Sequence, residues 1–197
     1  MNSKKRTLII MTIFLLIIIL SSVLYSTLSK SVKTENLIVQ ETMEEEIVEN
    51  SEDNQNQEEV TAPDFMVYDA LGNAVYLSDF FGKPIILNFW ASWCGPCKSE
   101  MPHFESIYQR YKNSVHFLMV NLTDGYRETT DKAMSYIASQ SYNFPVYYDN
   151  QGIAAYVYQV QAIPTTYFIN QDGHVVAYAS GAIDEQALQV GINYIIQ

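Results

Sequence analysis

The sequence predicts an α/β domain built on a mixed central sheet flanked by helices. Three observations carry this. The run Pro84-Ile85-Ile86-Leu87-Asn88-Phe89-Trp90 is uncharged and rich in branched and aromatic side chains, the composition of a central strand buried on both faces. After Cys97 the spacing turns helical, with Met101, Phe104, Ile107, Tyr108 and Tyr111 recurring at threes and fours. A second continuous apolar run, Val115-His116-Phe117-Leu118-Met119-Val120-Asn121, follows. Strand, helix and strand then make a βαβ unit with parallel pairing and a right-handed crossover.

The 197 residues allow one domain of ordinary size plus extras. Residues 1–30 stand apart from any globular core. Lys4-Lys5-Arg6 precedes Leu8 to Leu24, which is almost wholly Leu, Ile, Val, Phe and Met. A stretch of about 17 to 20 such residues can cross the hydrocarbon layer as a helix. The basic cluster before it is expected to stay in the cytoplasm, leaving the rest of the chain outside the cell membrane. A cleaved signal peptide is the competing reading, but the apolar run is long for one and Thr27-Leu28-Ser29 is a poor cleavage site. Neither cysteine lies near this segment, which rules out a lipid-modified cysteine anchor.

Residues 31–60 carry ten Asp and Glu interleaved with Asn, Gln and Ser. Nothing there suits a core, and the like charges repel, so an extended, mobile acidic linker is expected. It supplies much of the net charge of −11, which argues against nucleic acid and against adhesion to an anionic membrane surface.

The globular part spans 61–197. Phe65 to Asp69 and Asn73 to Leu77 flank the turn signal Ala70-Leu71-Gly72, an N-terminal β-hairpin. Ser78 to Lys83 reads as a helical turn leading into the central strand. Beyond the βαβ unit, Asp124-Gly125 turns the chain. Glu128 to Gln140 reads as a helix with Ala133, Met134, Ile137 and Ala138 as its apolar stripe. Phe144 to Tyr148 is a short strand and Ile153 to Tyr158 a short helix. Pro164 sits just before the strand Thr165 to Asn170, and Asp172-Gly173 turns into an antiparallel partner, His174 to Tyr178. Asp184 is placed to cap a final helix to about Ile195, whose apolar side is Ala187, Leu188, Val190, Ile192 and Ile196.

The chemistry-bearing stretch is Trp93-Cys94-Gly95-Pro96-Cys97. It places Cys94 at the start of a helix, where unpaired N–H groups and the positive end of the dipole favour a thiolate. Cys97, one turn on, lies deeper and close enough to close a disulfide. Gly95 lets the backbone bend, and Pro96 suits a first helical turn because it has no N–H to leave unpaired. Two cysteines at this spacing also suit half a zinc site, but there is no second pair. His103, His116 and His174 are scattered without ligand spacing, so no metal is expected. A purely structural disulfide is the other bland reading, and so short a loop constrains little of the unfolded chain.

Asn88 to Cys97 closely resembles the active-site segment of thioredoxins, and Ile163-Pro164-Thr165 resembles their cis-proline loop. The chain as a whole resembles the membrane-anchored, extracytoplasmic TlpA/ResA-like thiol–disulfide oxidoreductases, from about Ala62 to Gln197. The resemblance implies a thioredoxin-like fold with the N-terminal hairpin added and a helix–strand segment inserted. It implies a cis bond between Ile163 and Pro164. It also implies a redox-active Cys94–Cys97 disulfide, with no further cofactor, in which Cys94 attacks and Cys97 resolves through a mixed disulfide.

Thioredoxins keep a buried aspartate where this chain has Asn88, and an amide cannot take a proton. Glu100, three residues after Cys97, matches a glutamate that ResA-like proteins carry near the active site, and it replaces the missing base. Its bland alternative is a solvated acid in the first turn of the helix. Trp93 is expected to shield the disulfide and offer an apolar platform. Pro164 with Thr165 is expected to leave backbone groups free for an extended substrate segment. His103 and Lys98 read as surface residues.

Two functions stay open, and a third, a redox-silent binding module, is a foil that the intact cysteine pair and proline loop argue against. A tethered reductase would deliver electrons to extracytoplasmic disulfides, such as those of apocytochromes, surface enzymes or spore-envelope proteins. The resemblance implies that it would draw those electrons from a transmembrane thiol carrier of the CcdA/DsbD type. An oxidant or isomerase would form disulfides in secreted proteins. A redox-silent binding module would need neither cysteine. Gly95-Pro96 favours the first, since Cys-Gly-Pro-Cys resembles the reducing thioredoxins. A peroxidase of the peroxiredoxin type shares the opening hairpin, but paired cysteines after Trp93 do not suit it.

Overall fold

A computed structural model describes residues 37–39 and 60–196. One eight-stranded sheet organises them, in the order β1-β8-β7-β4-β5-β6-β2-β3. Its strands are β1 (Leu37–Val39), β2 (Met66–Tyr68), β3 (Ala74–Tyr76), β4 (Ile85–Trp90), β5 (His116–Asn121), β6 (Val146–Tyr148), β7 (Thr165–Ile169) and β8 (Val175–Ser180). The helices are α1 (Gly95–Tyr111), α2 (Thr130–Gln140), α3 (Ile153–Val157) and α4 (Glu185–Ile195), with a 3-10 turn at Leu77–Phe80. The sheet is mixed as expected: β4 runs parallel to β5 and antiparallel to β7.

β4 is buried along its whole length, and its two-residue period assigns its side chains to opposite cores. Ile86 and Trp90 join the layer of Met101, Phe104 and Ile107 from α1 and Leu188, Ile192 and Ile195 from α4. Ile85, Leu87 and Phe89 join Phe65, Val67 and Leu77 from the hairpin region and Ala154 and Tyr158 from α3 and its end. By the same alternation Asn88 shares the α1 face of the sheet with Ile86 and Trp90. Helix α4 lies so close to β7 that a Cβ at Gly191 would fall 2.2 Å from the Phe168 ring, which restricts that position to glycine.

Several expectations need correction. Leu37–Val39, within the stretch expected to be a free acidic linker, pairs antiparallel with β8 from Leu37↔Ala179 to Val39↔Ala177. The three residues form an uninterrupted apolar, largely β-branched triplet between Asn36 and Gln40, and β8 offers an open edge. The rest of the expected linker, 31–36 and 40–59, and the expected anchor at Leu8–Leu24 lie outside the described residues. Among the described residues no helix is long and apolar enough to cross a membrane.

The helix expected from Glu128 begins instead at Thr130, because the Thr129 hydroxyl caps it by accepting the Lys132 N–H at 3.3 Å. Its inward side is Ala133, Tyr136 and Ile137, while Met134 and Ala138 face solvent. On α4 the buried side is Leu188, Gly191, Ile192 and Ile195, and Val190 and Ile196 are exposed. In each helix two apolar residues of the expected stripe lie one position off the buried face. The caps at Asp184, whose Oδ1 accepts the Ala187 N–H at 3.0 Å, and at Thr129 set the true phase.

Candidate functional site

β4 ends at Trp90 and delivers the chain through a tight turn, Cys94 N–H to Ala91 carbonyl at 3.1 Å, into α1. Cys94 is the N-cap of that helix: its Sγ accepts the Cys97 N–H at 3.1 Å, a position in which a sulfur meets otherwise unpaired helix donors. Cys94 and Cys97 are joined as a disulfide. Cys94 keeps 4% of its surface exposed and Cys97 none, so one sulfur is reachable and the other is sealed. Gly95 and Pro96 are exposed at the tip, with Pro96 in the first turn as expected.

The second motif closes over the first. The Ile163–Pro164 peptide is cis, as the resemblance implied, and the Ile163 carbonyl oxygen lies 3.6 Å from Cys94 Sγ. In the disulfide that sulfur has no proton to donate; in the dithiol it has one, and this oxygen is its nearest acceptor across the loop. The expectation for Pro164 and Thr165 is narrowed. The Pro164 carbonyl already accepts the Gly181 N–H at 2.9 Å, and Thr165 is paired in the sheet with both Phe89 and Ser180. Both are buried, and the loop residue that faces the dithiol through its backbone is Ile163.

Beneath the dithiol lies Glu100, 1% exposed and so not a solvated first-turn acid. Its Oε1 accepts Asn88 Nδ2 at 3.0 Å and its Oε2 accepts the Ile183 N–H at 3.2 Å. Burial pushes its carboxyl up to about 8, against the pull of those two donors, which favour the ionised form. Asn88, read from sequence as the loss of a base, positions this acid. Its amide also reaches Thr166 Oγ1 at 3.0 Å, across the register pair Asn88↔Thr166. The Asn88 Oδ1 atom is buried without a partner. If the amide turned over, that oxygen would take the place of Nδ2, 3.0 Å from Glu100 Oε1, and accept from the protonated acid.

A second buried glutamate escaped the sequence reading. Glu128 is wholly buried and its carboxyl accepts three bonds: Ser92 N–H at 3.0 Å, Ser92 Oγ at 2.8 Å and Asn121 Nδ2 at 2.8 Å. It pins the loop after β5 to the residue two positions before Cys94. Its neighbour Arg127 stacks on Trp93, with Cζ 3.4 Å from the ring centroid, while the ring stays 41% exposed. No local pattern marks Glu128 or Arg127, because Ser92 and Trp93 lie more than thirty residues away and the nearer partner Asn121 sits at the end of a strand. Lys98 is exposed and His103 half-buried, as surface residues should be. Among the described residues no cluster of His, Cys, Asp or Glu could hold a metal ion.

This geometry was compared with known proteins. Residues 59–178 match the AhpC/TSA family. Thiol-disulfide oxidoreductase ResA of Bacillus subtilis is 35% identical over 135 residues, 68% of this chain and 73% of that one. ResA of Oceanobacillus iheyensis is 36% identical over 137 residues, covering 67% and 69%. Among solved structures, a thiol:disulfide interchange protein DsbE from Chlorobium tepidum superposes with a TM-score of 0.64 at 32% identity, covering 71% of this chain and 97% of that one. StoA from Bacillus subtilis superposes with a TM-score of 0.58 at 27% identity, covering 68% and 98%. A reachable sulfur capping a helix, a sealed partner one turn on and a cis-proline loop across from them thus coincide with these matches, and the chain belongs to the AhpC/TSA family as a thiol–disulfide oxidoreductase of the ResA type.

Proposed function

We propose that this chain is a membrane-tethered reductant of protein disulfides outside the cytoplasm, acting through Cys94 and Cys97. The observation that carries the reading is the asymmetry of the pair: a helix-capping Cys94 that keeps a sliver of its surface exposed beside the exposed Gly95 and Pro96, and a fully buried Cys97 one turn from the protonatable Glu100.

In the reduced chain the Cys94 thiolate attacks one sulfur of a substrate disulfide. That bond breaks, the first substrate thiolate leaves and takes a proton, and a mixed disulfide forms on Cys94. Cys97 then gives its proton to the Glu100 carboxylate and attacks Cys94 Sγ. The second substrate thiolate leaves and is protonated in turn. The chain loses two electrons and closes its disulfide; the substrate disulfide gains them and opens. A carboxyl pushed up to about 8 matches a thiol's ordinary range closely enough to exchange a proton with it in either direction.

Trp93, Gly95, Pro96 and the Ile163 backbone form the rim on which an extended substrate segment would rest, with the buried Pro164 and Thr165 holding that loop in place. A dithiol donor must re-reduce Cys94–Cys97, and a transmembrane carrier of the CcdA/DsbD type is the class that suits a domain outside the membrane. The apolar run Leu8–Leu24 after Lys4-Lys5-Arg6 supports the tether.

Two measurements test this. Equilibration of the purified chain with glutathione buffers is expected to give a potential well below about −180 mV; a value above it would make the chain an oxidant or isomerase. Cys97→Ser, expressed in the full chain, is expected to accumulate mixed disulfides on Cys94 in the membrane fraction, accessible to protease from outside. A soluble, shortened secreted form would replace the tether with a cleaved signal.

A further inference from the structure

Arg127 is placed with unusual care for an exposed cation. The loop carrying it is tied at three points. Asp124 Oδ1 accepts the N–H groups of Tyr126 and Glu128, both at 2.8 Å. Lys132 Nζ reaches the carbonyls of Tyr126 at 3.2 Å and Arg127 at 2.9 Å. The buried Glu128 carboxyl grips Ser92. The guanidinium is thereby laid flat on Trp93, the residue before the reachable sulfur. Stacking uses the face of a guanidinium and leaves its edge of five N–H donors in a rigid fork. Among the described residues no carboxylate, amide or carbonyl accepts from that fork; its contact is the Trp93 ring.

The charge around it sharpens the point. Residues 60–196 hold six Lys and Arg, none of them after Lys132, against twelve Asp and Glu, a formal charge of −6. A generally acidic partner would be repelled by such a body. A single carboxylate presented at the dithiol would instead meet a preorganised planar fork, the geometry that takes a carboxylate by two parallel hydrogen bonds.

We infer that Arg127 is a specificity-determining residue: stacked on Trp93, it receives a carboxylate side chain that flanks the reacting cysteine of the substrate polypeptide. This rests on the disulfide-exchange reading above.

The test uses the purified full-length chain, reduced and freed of reductant, mixed in stopped flow with three otherwise identical disulfide peptides bearing Glu, Gln or Lys beside the cysteine. The rate constant for oxidation of the chain is expected to be about threefold to tenfold higher for the Glu peptide than for the Lys peptide at low salt, the range open to a partly exposed ion pair. That ratio should shrink with added salt, fall towards unity in Arg127→Gln and invert in Arg127→Glu. Each ratio compares two peptides on one protein preparation, so a loss of folded protein cancels. Equal rates for the Glu and Lys peptides, or a ratio unchanged in Arg127→Glu, would overturn the inference alone. Failure of all three peptides to oxidise the chain would overturn it together with the reading it rests on.

Discussion

Glu100 and Glu128 are both withdrawn from water beside the Cys94–Cys97 bond, yet the chain surrounds them differently. Glu128 takes three donors, two of them from Ser92, and its bonds join one loop to the backbone that leads into the motif. Glu100 takes two donors, from Asn88 and Ile183, and burial outweighs them, so its proton stays on up to about pH 8. A carboxyl held mainly by donors to one short segment works as a clasp. A carboxyl whose burial outweighs the pull of its donors keeps its proton to higher pH. The same side chain thus pins a loop at Glu128 and stays a buried, protonatable carboxyl at Glu100.

The largest break in this comparison should come from Glu128→Ala. It strips partners from the Ser92 N–H and the Asn121 amide in a buried place, and a loss of about 3–5 kcal/mol in urea unfolding is expected. A loss below about 1 kcal/mol would show that water replaces the clasp.

A pH-dependent effect of comparable full size, spread over several pH units, belongs to Glu100. The folded chain holds this proton up to about pH 8, and the unfolded chain releases it near the ordinary 4.5. Between those values the folded state binds more protons, so stability is full below about 4.5 and falls as pH rises through the window. The slope reaches about 1.4 kcal/mol per pH unit at its steepest. Glu100→Gln should flatten that slope and slow resolution of the mixed disulfide, with little change in attack by Cys94. Unfolding curves from pH 4 to 9 and stopped-flow reduction of a model disulfide read the two effects separately. The smallest change is Ser92→Ala, which removes the 2.8 Å hydroxyl bond to Glu128 and leaves the 3.0 Å backbone bond in place, for about 1 kcal/mol.

These two acids also show what the sequence discloses. Glu100 could be read because it sits on the same helix as Cys97, three residues on, where spacing fixes neighbourhood. Cys94 could be placed because the hydrophobic period switches at it from strand to helix. Glu128 and Arg127 could not, since a loop carries no period and their partners Ser92 and Trp93 are brought to them only by the parallel pairing of β4 and β5. Asn88 was legible as an amide that cannot take a proton; its bond to Glu100 was not, because twelve residues and a change of element separate the two. The edge strand Leu37–Val39 was hidden by its acidic surroundings, where composition averaged over thirty residues outweighs a triplet. The stripes of α2 and α4 slipped at Met134, Ala138, Val190 and Ile196, because apolar residues also occur singly on exposed faces.

The seclusion of Cys97 has a kinetic consequence. With one sulfur of the pair open to approach, a molecule bringing electrons and a molecule taking them must bond to the same atom, Cys94 Sγ, in turn. The two cannot occupy it together, so the half-reactions alternate in ping-pong fashion and each partner competes with the other for a single berth. A partner that lingered there would halt traffic in both directions. Quick release, more than strong capture, therefore governs how many electrons pass through this chain.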